Sequence, residues 1–106
     1  FERNNITFHA NLVKLENAIL IFFYEGASKL GTVALAVPGI GEEKAGRSSV
    51  LFGGKYLMAS RALAERAAGS FGKIAVVSMN TAIEEPEALR IYAKLLDDLR
   101  KSASAR

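Results

Sequence analysis

The chain opens with strict alternation. From Ile6 to Val13, Ile6, Phe8, Ala10 and Leu12 fall on one side, while Thr7, His9 and Asn11 fall on the other. A period of two with one polar face predicts a half-buried antiparallel strand. Lys14 to Asn17 is a short polar break. Ala18 to Tyr24 is then apolar throughout and aromatic at its end, which predicts a central strand hairpinned to the first. Glu25 to Lys29 reads as a turn. Leu30 to Val37 predicts a third strand, with Leu35 and Val37 on one face and the small Ala34 and Ala36 on the other. Pro38 ends it, because proline has no N–H for the ladder. Gly39 to Arg47 is a glycine- and charge-rich loop. Ser49 to Phe52 predicts a short fourth strand, closed by Gly53-Gly54.

The period then changes. Tyr56 to Ala68 has high helix propensity and an alanine-rich stripe that includes Ala59, Ala62, Leu63, Arg66 and Ala67. A stripe made mostly of alanine lets a helix approach a sheet or another helix closely. Gly69 or Gly72 can supply a left-handed stop. Lys73 to Met79 alternates again and predicts a fifth strand. Pro86 suits a first helical turn, and Glu84, Glu85 and Glu87 suit the positive end of a helix dipole. Leu89, Tyr92, Leu96 and Leu99 continue this helix to about Lys101, widened by Ala88, Ile91 and Leu95; Ser102 to Arg106 should fray. The order β-β-β-β-α-β-α predicts an α+β fold, an antiparallel β-sheet with helices packed on it, as one domain over residues 1–106.

Composition narrows the chemistry. The 106 residues are 50% hydrophobic and 24% charged, which excludes a disordered chain. There is no cysteine and one histidine, so thiolate and multi-histidine metal sites are excluded. The longest apolar run is far short of a membrane helix, and Phe1 to Asn5 does not read as a secretory signal. The expectation is a cytoplasmic protein, in the nucleus as well, without membrane or nucleic-acid partners. The net charge of +3 is small. From Lys44 to Lys73, however, six cations face one anion, Glu65, and this local excess suits an acidic protein partner. Aromatic residues are not interleaved with it, as single-stranded nucleic acid would require. Within it, Lys55, Arg61 and Arg66 are the candidate partner-binding residues.

Other motifs have plainer readings. Gly41 to Ser48 has P-loop spacing with Arg47 in place of lysine. A P-loop opens a helix, whereas the next residues read as a strand, and two carboxylates in the loop would repel phosphate. His9 has no Ser or Asp partner identifiable from spacing. The expectation is therefore no catalysis and no cofactor. The nearly continuous apolar strands and the wide stripe of the last helix leave apolar surface for another subunit to cover.

Four stretches carry a family resemblance: Phe8 to Leu12, Asn17 to Ala27, Ser48 to Gly53, and Leu63 to Arg66 followed by Lys73 to Ser78 and Asn80. Together they resemble the fourth proteasome-assembly chaperone family, collinearly over about residues 5 to 100. The resemblance implies a non-enzymatic subunit that pairs with the related third chaperone. Such a heterodimer binds proteasome α-subunits in early α-ring intermediates of the 20S proteasome and leaves before maturation. A homodimer is the expected form in isolation. The alternatives are a small dimeric scaffold of the roadblock or longin type, or a nucleotide-binding protein using the Gly41 to Ser48 loop.

Overall fold

The fold is described from a computed structural model, over residues 2–3, 6–39 and 47–104. The strands are β1 (Glu2–Arg3), β2 (Ile6–Lys14), β3 (Ala18–Glu25), β4 (Thr32–Val37), β5 (Arg47–Phe52) and β6 (Ile74–Asn80). The helices are α1 (Leu57–Phe71) and α2 (Glu85–Ser104). The class is α+β, and apart from the two-residue β1 the element order is the one the periodicities predict. The β2–β3 hairpin turns where the polar break stands, closed by the Leu15 N–H donating to the Ala18 carbonyl at 2.8 Å. β4 stops at Val37, before Pro38.

The sheet order is β1-β2-β3-β6-β4-β5. Four of its five pairings are antiparallel, but β3 and β6 run parallel, so the sheet is mixed rather than purely antiparallel. The cause is the crossover. α1 carries the chain over β4, which it contacts more than any other strand. β6 then enters the slot between β3 and β4. A parallel neighbour can be reached only by such a long connection.

Both helices cover one face. α1 lies over β4, β5 and β6, while α2 lies over β2 and packs against α1. Beneath them sit Phe8, Ile19, Ile21, Phe23, Ala34, Ala36, Ala75, Val77 and Met79, all buried. α1 meets them with Ala59, Ser60, Leu63, Ala64, Ala67 and Ala68. The predicted stripe is therefore rotated: Ala62 and Arg66 point to solvent. Alanine carries too weak a hydropathy signal to set the helix phase. Ser60 tolerates burial because its hydroxyl donates to the Leu57 carbonyl at 3.3 Å. α2 buries Ala88, Ile91, Tyr92 and Leu96, the face its spacing predicts. Tyr92 stands against Phe8 (centroids 5.9 Å apart, edge-on) and Phe23 (5.3 Å, tilted).

Two glycines are dictated by geometry. Gly72 ends α1 at φ 66°, its N–H donating to the Ala68 carbonyl at 2.8 Å. Gly31 leads into β4 beside β6, where a Cβ would stand 2.0 Å from the Met79 carbonyl oxygen. At the far end, α2 extends to Ser104 rather than fraying after Lys101. Ser102, Ala103 and Ser104 contain no helix breaker, so the last turn propagates.

Candidate functional site

The face opposite the helices carries no covering element among the described residues. Cross-strand register arranges it in rows. One row runs Val13, Leu20, Val76, Leu35 and Ser49 across β2, β3, β6, β4 and β5. The next runs Asn11, Phe22, Ser78, Val33 and Phe52. Directly opposed side chains in such rows touch, so the rows form a continuous surface with apolar groups at seven of ten positions. Leu20, Phe22, Val33, Leu35 and Val76 are half-buried by their neighbours. At the margins exposure rises to 45% for Val13, 38% for Val37, 38% for Ile74 and 64% for Phe52.

This alternation inverts the usual rule for a sheet with one solvated face, which is apolar inside and polar outside. In β4 the small residues face the helices and the large ones face out. Ser78 is the polar exception at the centre, and its hydroxyl is satisfied by the Gly31 N–H at 3.0 Å. Polarity returns at one end. There His9 stacks on Tyr24 with centroids 4.8 Å apart, and the Asn11 amide donates to the Tyr24 hydroxyl at 2.8 Å. His9 is thus a stacked surface residue of a mostly apolar face. The strand alternations made these rows readable in principle, but the order of the strands was needed to assemble them.

A second feature lies at the end of the sheet where β3 and β6 finish. Gly31, Thr32, Gly53, Gly54, Lys55, Tyr56, Met79, Asn80 and Thr81 line an open cleft of about 310 Å³. Its loops are pinned: the Thr32 hydroxyl donates to the Lys55 carbonyl, and the Tyr56 hydroxyl to the Ile83 carbonyl, each at 2.6 Å. Tyr56 precedes α1 in the left-handed region (φ 57°) and gives no side-chain cap. The cap comes from α2 instead. The Glu85 carboxylate accepts the Met58 N–H at 3.0 Å and the Ala59 N–H at 2.9 Å. The positive end of α1 is therefore already met by a carboxylate of this chain.

Nearby, the Glu25 carboxylate accepts from the Thr81 hydroxyl at 3.0 Å and from the Ala82 N–H. Burial pushes the Tyr92 hydroxyl up to about 12, and the neighbouring Glu25 adds to the rise. The adjacent Thr81 hydroxyl, which donates to Glu25, opposes it in part, and the buried Tyr92 hydroxyl has no hydrogen-bond partner among the described residues. Tyr56 is raised too, first by burial and then by Glu25 and Glu85.

The three candidate cations fare differently. Lys55 is exposed, and its carbonyl holds Thr32. Arg61 is exposed, and its Nε donates to the Ser48 hydroxyl of β5 at 3.1 Å. Ser48 in turn donates to Glu65. Arg66 instead forms a two-pronged pair with Asp97 of α2, at 2.8 and 3.1 Å from Nη2. Five residues apart on a helix means about 140° around its axis, so Arg61 and Arg66 serve different sides. Lys55 and Arg61 border β5, and Arg66 belongs to the α1–α2 contact.

Gly41 to Gly46 of the P-loop-like motif lie outside the described residues. Arg47 and Ser48 begin a strand, not a helix. Among the described residues no group of three His, Cys, Asp or Glu could hold a metal ion, and no helix is long and apolar enough to cross a membrane. No protein-family model matches the chain, and no curated protein matches it either. The fold defines an α+β domain with an apolar sheet face that nothing among the described residues covers.

Proposed function

We propose that this domain is a non-enzymatic chaperone subunit for assembly of the 20S proteasome α-ring, acting as a dimer with a related small chaperone. The observation that carries the reading is the open sheet face. Among the described residues, large apolar side chains in two cross-strand rows stand uncovered, while both helices lie on the other side. Burying such a face against a like face would form a two-sheet sandwich, with inner side chains interdigitating across about 10 Å. The collinear resemblance supplies the identity of the partner and of the client. The basic residues around β5 supply a surface for contacts with proteasome α-subunits. The protein works in the cytoplasm and nucleus, with no cofactor.

An affinity pull-down from lysate of the source organism tests this. The wild-type domain should recover proteasome α-subunits and a second small chaperone. The double variant Val37→Glu, Ile74→Glu should lose the small chaperone while keeping its thermal unfolding transition, because both side chains are already exposed. Reproducible absence of α-subunits with folded bait would defeat the proteasome assignment. Retention of the small chaperone by the double variant would defeat the sheet face as the dimer surface.

A further inference from the structure

We propose that the outer edge of β5, with the flank of α1 beside it, is a docking site for an extended acidic peptide segment of a partner protein. β5 is the last strand of the sheet, and nothing among the described residues pairs with its outer side. The opposite edge is managed differently: β1 is only two residues long. Short edge strands, prolines and charges are the usual protections against strand addition. β5 has six residues and no proline, and its register with β4 is continuous from Arg47 to Val50; the irregularity falls beyond, toward Phe52.

An added strand would send alternate side chains to the two sides of the sheet. On the helix side it would meet α1. The Arg61 and Ser48 contact shows that this flank of the helix overlooks the edge. Met58, three residues earlier on the same flank, is 79% exposed. On the other side it would meet Arg47 and the 64%-exposed Phe52. Each side therefore offers one apolar and one cationic contact. Lys55, just past the strand, adds a third positive charge. The nearby anion, Glu65, already accepts from Ser48. This charge pattern selects an occupant with carboxylates between apolar residues. It opposes a second copy of the chain, whose own β5 would bring the same cations face to face.

The inference stands apart from the sheet-face reading, since it concerns backbone edge pairing. Its test uses a fluorescein-labelled eight-residue peptide in which valine pairs alternate with glutamate pairs, so that each side of the strand carries both, and a counterpart with lysine for glutamate. Anisotropy should show saturable binding of the glutamate peptide and binding at least about tenfold weaker for the lysine peptide. Arg47→Glu with Lys55→Glu should weaken the first by a similar factor. Arg47→Gln with Lys55→Gln serves if the charge reversal disturbs folding. Amide exchange followed by NMR should slow at alternate residues between Arg47 and Val50 when the peptide is bound. Equal binding of both peptides, or unchanged exchange in β5, would overturn the proposal. So would β5 protection that grows with protein concentration alone, which would make the occupant a second copy.

Discussion

Phe22 and Phe23 are neighbours in β3, the same amino acid in the same strand, and they live in different environments. Phe23 is completely buried beneath α2 against Tyr92, while Phe22 stands half-buried in the middle of an uncovered row. β4 repeats the contrast, with Ala34 and Ala36 inward and Leu35 and Val37 outward. The covered face uses small residues so that helices can sit close. The open face uses large residues that no element of this chain covers among those described. A sheet that folded only to be solvated on that side would carry polar groups there. Hydrophobic residues therefore stand in two settings in one sheet, closing the fold on one side and, on the other, lying uncovered among the described residues.

The contrast can be broken residue by residue. Phe23→Ala should cost about 3–5 kcal/mol in chemical denaturation, since it removes a large side chain from a closed core. Phe22→Ala should cost the dilute protein about 1.5 kcal/mol, roughly half the value of full burial, but should weaken the proposed dimer in sedimentation. Equal losses of stability for the two would erase the distinction between the faces. Glu85→Ala should cost about 1 kcal/mol and speed amide exchange at Met58 and Ala59, because it uncaps α1.

Tyr92→Phe removes a buried hydroxyl that lacks a partner, and should raise stability by about 1 kcal/mol. It should also change the alkaline limb. The folded state holds this phenol protonated up to about 12, against 10.0 for the free group. Its contribution is complete below pH 10 and is lost as pH rises through 12, because the unfolded chain gives up the proton first. The phenylalanine variant should flatten the fall of stability over that window in urea titrations. Arg66→Ala should be the mildest change, about 0.5 kcal/mol, because both partners of the ion pair with Asp97 are well exposed.

What could be read from the sequence was local. The alternation of Ile6 to Val13, the stop at Pro38 and the stripe of α2 are each set by residues within a few positions, and they match the strands and helix observed. What could not be read was pairing at a distance. Nothing in Ala18 to Tyr24 announces that Ile74 to Asn80 will lie beside it in parallel. Arg66 reads as a free cation until Asp97, 31 positions later, is placed against it. Glu85 sits where its own helix dipole would want it, which hides its service to α1. At Ala62 the spacing misplaces the phase of α1, because a helix of alanines offers almost no hydrophobic contrast between its faces. The open face was legible only as an excess of apolar surface, since neither its rows nor its location exists until the strands are ordered.

The slot between β3 and β4 also sets the timing of folding. On a ribosome the two strands emerge early, yet in the finished sheet they do not touch, because β6, the last of the described strands to be made, lies between them. Ala18 waits for Ile74, a partner 56 positions downstream. Until then the hairpin and the β4–β5 pair each present an unpaired edge to the slot. Contacts this distant in sequence slow folding relative to a chain whose contacts are local. The centre of this sheet can be completed only once β6 has been made, since β6 supplies the partner of both strands that flank the slot.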